Sequence, residues 1–193
     1  MKLDVGTAES LSFWLKNAKL YMQLILMKKQ LLKPKKNVPE GNFSVGDGQS
    51  LTFKDAQFDI ILFSKSLHHH SNPTLALQET IRVLKPNGEI IIIELVPDTE
   101  YQKILKPVHN EREGIIKAGE AINVSGLKVI SKQRINTPKE FADFNSLLKS
   151  LEERFEVKDS DTLKAEVEGV LGTKIQEVPL ILNAEIDIYQ LRA

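Results

Sequence analysis

The stretch that most constrains this chain is Glu89-Ile90-Ile91-Ile92-Ile93-Glu94-Leu95. Four β-branched residues in a row pack poorly in a helix and leave a strand no polar face. The segment therefore reads as a central strand buried on both sides. The residues upstream agree. Leu75, Ala76, Leu77, Thr80, Ile81, Val83 and Leu84 recur at helical spacing from Pro73 to Leu84, and Lys85-Pro86-Asn87-Gly88 supplies stop residues. Before that helix, Phe58-Asp59-Ile60-Ile61-Leu62-Phe63 reads as another buried strand. Strand, helix and strand of this size predict a parallel pair joined by a right-handed crossover. The fold class is α/β.

The remaining segments extend this pattern. Met1–Val5 reads as a strand closed by Gly6, followed by helical spacing from Leu11 to Ala18. Leu20–Met27 suits a second buried strand, although its length also allows a helix. Phe43-Ser44-Val45 alternates like a short strand. Beyond Leu95, Tyr101–Leu105 and Ile115–Val124 read as helices and Leu127–Ser131 as a strand. Pro138–Phe155 reads as an amphipathic helix and Lys158–Leu171 as a charged one. Val178–Leu182 and Ile186–Leu191 suit a terminal hairpin turning at Asn183-Ala184-Glu185. The 193 residues are expected to form a single domain.

Composition removes several function classes. With 26 basic and 26 acidic residues, the net charge of zero argues against nucleic-acid binding driven by bulk charge. The lack of cysteine rules out disulfides, zinc–thiolate sites and thiol nucleophiles. No apolar run reaches the roughly 18 residues of a membrane span. Asp4 and Glu9 interrupt any signal-like start, so the cytoplasm is the expected location.

Open α/β sheets bind ligands beyond the carboxyl ends of their strands. Several chemically capable residues fall there. Gly46-Asp47-Gly48-Gln49 offers a carboxylate and an amide suited to the amine and ring nitrogen of adenine. The same residues also suit a solvent turn in which Asp47 bonds its own backbone. Ser64, Lys65 and Ser66 follow the Phe58 strand, and three imidazoles come next: His68, His69 and His70. His68 and His70 have the strand spacing of metal ligands, but no acidic partner is evident, and no metal is expected. A neutral imidazole is a natural proton acceptor near neutral pH. Alternatively, these histidines cap or pack beside the following helix. Glu94 ends the isoleucine strand, either facing a ligand or as an edge carboxylate. Gly6 opens a strand–turn–helix whose free N–H groups suit a polar ligand, or is a plain connection.

Together these residues resemble a class I S-adenosylmethionine-dependent methyltransferase, similar to the ubiquinone/menaquinone-biosynthesis type with a type 11 methyltransferase domain. Leu3-Asp4-Val5-Gly6-Thr7 looks like the first-strand motif. Gly46-Asp47-Gly48-Gln49-Ser50-Leu51 with Phe53 looks like the acidic loop after the third strand. Phe58–Ile61 through Leu67-His68-His69 looks like the fourth strand and its tip. Arg82-Val83-Leu84-Lys85-Pro86-Asn87-Gly88 with Ile91–Glu94 looks like the following helix, turn and strand. The resemblance implies a Rossmann-like three-layer sandwich, mostly parallel, with an antiparallel C-terminal hairpin strand. It implies S-adenosylmethionine as cofactor, bound by Asp4, Gly6, Thr7, Asp47, Gly48, Gln49, Ser64, Lys65 and Ser66. His68 and His69 then stand at the reacting end, and the partner is a small-molecule methyl acceptor.

Three departures accompany the likeness. Ala8-Glu9-Ser10 replaces the further glycines of the first turn. Leu24-Ile25-Leu26-Met27 carries no acid to hold ribose hydroxyls. The chain starts almost on the first strand, without the usual leading helix, and a second copy in a homodimer would cover that side. These departures favour an alternative, a catalytically degenerate protein of the same fold acting in binding or structure, or the remnant of a longer enzyme.

Overall fold

The isoleucine run lies where its composition requires, in the middle of a sheet. The computed structural model describes residues 21–23 and 46–193. The predicted Met1–Val5 strand, the Gly6 turn, the Leu11–Ala18 helix, the Phe43–Val45 strand, and Asp4, Gly6 and Thr7 lie outside the described residues.

Among the described residues, five strands form the main sheet: β1 (Tyr21–Gln23), β2 (Phe58–Ser64), β3 (Leu84–Leu95), β4 (Lys128–Asn136) and β7 (Glu185–Arg192). Their order is β1-β2-β3-β7-β4. β1 pairs with β2 in parallel, and β2 with β3 in parallel. The Leu20–Met27 reading is thus a strand over Tyr21–Gln23. Two shorter strands, β5 (Lys139–Phe141) and β6 (Leu180–Leu182), form a separate antiparallel pair. The described helices are α1 (Pro73–Val83), α2 (Glu100–Leu105), α3 (Arg112–Val124), α4 (Phe144–Phe155) and α5 (Ser160–Leu171). None is long and apolar enough to cross a membrane.

The chain divides into two compact units. One runs up to Leu95 and includes Gly114–Arg134 and Asp187–Ala193; the other holds Val96–Glu113 and Ile135–Ile186. In the first, alternate residues Ile61 and Phe63 of β2 and Ile90 and Ile92 of β3 face one core. Leu67, Ala76, Leu77 and Val83 join them, with Ala118, Ala121 and Ile122 of α3. Burying one such aliphatic side chain stabilises by about 1.5–3 kcal/mol. Asn72 starts α1, its side chain accepting from the Leu75 N–H, with Pro73 in the first turn. The predicted stop at Lys85-Pro86-Asn87-Gly88 is a bulge within β3 rather than a separate turn. The register slips between Phe58 and Ile60, and Asn87 takes the left-handed conformation at φ 67°. A Cβ on Gly88 would lie 2.7 Å from Leu84 Cγ and 3.0 Å from the Asp59 carbonyl, so this crossing requires glycine.

Arg82 at the end of α1 ties down the preceding loop. It donates to the carbonyls of Leu51 and Phe53 and to both carboxylate oxygens of Glu79, while Glu79 accepts from the Leu51 N–H. Hydrogen bonds from Arg82 hold the Glu79 carboxyl down at about 2, from an ordinary 4.5. A depressed carboxylate stabilises the fold fully above its unfolded value and loses that contribution as pH falls through the folded one. Glu79→Gln is therefore expected to flatten the acid limb of stability between about pH 4.5 and 2, measured by urea unfolding at each pH.

In the second unit, Leu147, Leu151, Leu180 and Leu182 are fully buried in a core with Ile104, Leu163 and Val167. Leu180 and Leu182 commit β6 to this core, where it pairs with β5 and not, as a terminal hairpin would, with β7. The predicted Pro138–Phe155 helix is shorter at its start. Asp143 and Ser146 form a capping box that begins α4 at Phe144 and frees Lys139–Phe141 for the strand.

Candidate active site

The tip of β2 is where the chain concentrates its polar side chains. Ser64 pairs with Ile93, and the Lys65 N–H then reaches the Ile93 carbonyl at 2.7 Å. Lys65 adopts φ 51°, a left-handed conformation that turns the backbone sharply off the strand. A single 3-10 turn, Leu67–His69, follows. Ser64 and Lys65 are exposed, Ser66 half-buried, His68 and His70 buried, and His69 exposed.

Glu94, one residue beyond the strand pairing, organises this turn. One carboxylate oxygen accepts the Leu67 N–H at 3.0 Å, and the other lies 2.5 Å from His68 Nδ1. The His68 and Glu94 side chains are 2% and 5% exposed, so the pair works away from water. The tautomer with its hydrogen on Nδ1 would donate it to this carboxylate. From the far side, α3 presses on the same turn. A Cβ on Gly114 would sit 2.6 Å from the His68 carbonyl oxygen, a contact that only glycine permits.

His70 faces the other way. Its Nδ1 lies 3.1 Å from the Leu67 carbonyl, and its ring meets Phe63 edge-on at 5.9 Å. Burial holds its imidazole below the ordinary value, against the Leu67 and Ser66 backbone bonds and the Asp47 and Glu94 charges. In the neutral ring, Nδ1 donates to the Leu67 carbonyl and Nε2 is left as an acceptor. His70 Nε2 and Ser66 Oγ are both buried without a hydrogen-bond partner among the described residues.

The Gly46–Ser50 loop is anchored beside this tip. Asp47 accepts the Gln49 N–H on Oδ1 at 2.9 Å, and its carbonyl accepts the Ser50 N–H. The side chain thus closes its own turn, and that backbone bond keeps its carboxyl below the ordinary range. Gln49 reaches outward: its Oε1 accepts from Ser71 Oγ at 3.0 Å and the Asn72 N–H at 2.7 Å. Its amide ties the loop to the start of α1. Gly48 is buried and Asp47 exposed. The structure therefore brings Asp47, Gly48, Gln49, Ser64, Lys65, Ser66, His68 and His69 into one unit, at the loop and the strand tip. The pairing of Glu94 with His68 and the clamp at Gly114 were not read from sequence. The visible signals were an acid ending an otherwise apolar strand and a glycine opening a helical pattern.

The conserved-domain family described as a methyltransferase domain matches residues 3–92, which contain the loop, β2, α1 and most of β3. Residues 3–92 are thus similar to that methyltransferase domain. Among curated relatives, the demethylmenaquinone methyltransferase of Streptomyces griseus is 32% identical over 99 residues, 51% of this chain and 43% of that protein. The ubiquinone/menaquinone biosynthesis C-methyltransferase UbiE of Ruegeria sp. is 38% identical over 61 residues, 31% and 24% of the two chains. The chain spans less than half the length of the curated relatives it matches. Solved structures extend the likeness beyond the methyltransferase domain match. The YcgJ protein of Bacillus subtilis superposes with a TM-score of 0.64 at 16% identity, over 96% of this chain and 99% of that one. The [4+2]-cyclase SpnF superposes with a TM-score of 0.55 at 15% identity, over 95% and 71%. At such identities the likeness is one of fold, and the fold is Rossmann-like with a mostly parallel sheet.

Proposed function

We propose that this chain binds S-adenosylmethionine at the carboxyl ends of β2 and β3 and transfers its methyl group to a small organic molecule. The observation that carries this reading is the buried His68–Glu94 pair at the strand tip, beside a loop that keeps the Asp47 carboxylate exposed. The residues present suit the ligand. Asp47 makes its hydrogen bonds through Oδ1, which leaves Oδ2 for an adenine amine, with the Gly48 backbone beside it. Ser64, Lys65 and Ser66 line the methionine side, where the buried Ser66 Oγ has no hydrogen-bond partner among the described residues. Asp4, Gly6 and Thr7 complete the proposed set. If bound there, S-adenosylmethionine would supply an electrophilic methyl on a sulfonium that leaves as the thioether, with the acceptor giving up a proton.

His68, supported by His69, is the proposed proton acceptor. A carboxylate behind an imidazole stabilises the imidazolium that forms, and positioned proton transfer contributes about 10²–10⁴-fold to rate. The rest of the task is holding two reactants in line. Because several curated relatives, that of Streptomyces griseus among them, are named for demethylmenaquinone, a demethylated quinone is the first acceptor to try. Calorimetric titration with S-adenosylhomocysteine is expected to show saturable binding in the micromolar range. No heat at millimolar ligand would leave the non-catalytic reading, which the Ala8-Glu9-Ser10 sequence after Gly6 favours.

A further inference from the structure

We propose that Gln49 is a positioning residue for Asp47: pinned to the start of α1, it holds the Asp47 carboxylate by Oδ1 and leaves Oδ2 presented to the amine edge of an adenine. The purpose of this placement rests on the reading of a cofactor site at this loop; the placement itself rests on the bonds. By residue type alone, the Gln49 amide suits direct contact with the base, both donating and accepting. Its bonds exclude that full contact. An amide oxygen accepts through two lone pairs. At Gln49 both are taken, by Ser71 Oγ at 3.0 Å and the Asn72 N–H at 2.7 Å. A backbone N–H only donates, so the atom facing Asn72 is the oxygen and the orientation of the amide is fixed. One of the two hydrogens on Nε2 goes to Asp47 Oδ1 at 3.3 Å. The side chain has no acceptor left for a base.

These bonds act on Asp47 through the backbone. The Gln49 N–H donates to Asp47 Oδ1 at 2.9 Å, and the Ser50 N–H to the Asp47 carbonyl at 3.1 Å. Fixing the Gln49 backbone therefore fixes the donor that turns the carboxylate. The far end of Gln49 rests on Asn72, whose own side chain caps α1 by accepting the Leu75 N–H at 3.2 Å. A second pin lies further along the same helix, where Glu79 accepts the Leu51 N–H and Arg82 donates to the Leu51 carbonyl. The loop is thus tied to both ends of α1, and Gln49 is the tie next to Asp47. With Oδ1 doubly engaged, Oδ2 is the carboxylate oxygen without a hydrogen bond among the described residues, and Asp47 is exposed. An ionised carboxylate oxygen only accepts. It selects a base edge that carries an amine and disfavours one with a carbonyl at the same place.

The test compares two ligands by calorimetric titration of the full chain: S-adenosylhomocysteine, with a 6-amino base, and S-inosylhomocysteine, with a 6-oxo base. Wild type is expected to bind the first about tenfold more tightly or better, the worth of a hydrogen bond to a charged acceptor. Gln49→Leu is expected to reduce that preference to about twofold or less, chiefly by weakening the 6-amino ligand. Ser71→Ala removes one pin on the far side of Gln49, and is expected to lower the preference in the same direction by a smaller factor. A loop that is merely loosened would bind both ligands more weakly by the same factor, and that result would overturn the proposal. So would an unchanged preference in either variant, or a wild type that does not distinguish the ligands. A carbon-13 titration of the Asp47 carboxyl, without ligand, separates the placement from the cofactor reading. The Gln49 backbone and side-chain bonds hold that carboxyl below the ordinary range, and the charge of His70 acts on it in the same direction. His70 is the same in both proteins, so Gln49→Leu is expected to move the titration to higher pH. If wild type binds neither ligand, that upward move would uphold the placement of Asp47 and reject the cofactor site. An unmoved titration would overturn the placement as well.

Discussion

Glu94→Ala is expected to destabilise the first unit by about 2–5 kcal/mol. The substitution removes both acceptors of a buried turn at once. The Leu67 N–H and His68 Nδ1 lose their partner, and the Glu94 side chain leaves a cavity. A buried donor without an acceptor costs about 1–3 kcal/mol, and the cavity adds to this. Urea unfolding should show a lower midpoint with an unchanged slope. Glu94→Gln, which retains an oxygen for Leu67, should lose clearly less. Equal loss in the two variants would mean that the turn does not depend on the carbonyl-type oxygen shared by glutamate and glutamine.

Gly114→Ala is the second large effect, and its sign opposes simple helix propensity. On an exposed helix, alanine in place of glycine gains about 1 kcal/mol. Here the new methyl would meet the His68 carbonyl oxygen at 2.6 Å, and that oxygen belongs to backbone held in place by Glu94. Relief requires α3 or the 3-10 turn to move, and such overpacking costs about 1–3 kcal/mol. The variant is expected to be less stable by urea unfolding, with the His68 nitrogen signals displaced. Gly119, in the same helix, has open space around its missing Cβ. Gly119→Ala is therefore the internal control and should be neutral or stabilising.

The central architecture was legible because its signals are local and redundant. Ile90–Ile93 could only be a buried strand, and Pro73–Val83 carries both its cap and its period in sequence. Two of the blocks that resemble methyltransferases, Phe58–His69 and Arg82–Glu94, lie on β2 and the turn after it and on the end of α1 and β3. Misread elements depended on partners distant in sequence. Leu180–Leu182 could pair with either neighbour by pattern alone; burial in the second unit's core decided for β5. Pro138–Phe155 had a helical period throughout, but the Asp143–Ser146 box set a later start. Lys85–Gly88 had the composition of a turn, and pairing of Leu84 with Phe58 made it a bulge. At the site, the residue types of the loop and tip were readable. The Glu94–His68 bond, between residues 26 apart, and the Gly114 contact needed the fold.

The same limits apply to Asp47 and Gln49. The sequence left open a ligand-facing pair or a self-bonded turn. In the structure Asp47 closes its own turn through Oδ1, and Gln49 braces the loop against Ser71 and Asn72. A structural task and a binding task are compatible at Asp47, since one carboxylate oxygen serves each.

The most direct test of the central claim is a crystal structure of the chain grown with S-adenosylhomocysteine. Adenine is expected beside Asp47 and Gly48, with the sulfur end over Ser64–Ser66 toward His68. Ligand bound elsewhere, or none at saturating concentration, would contradict a cofactor site at the carboxyl ends of β2 and β3.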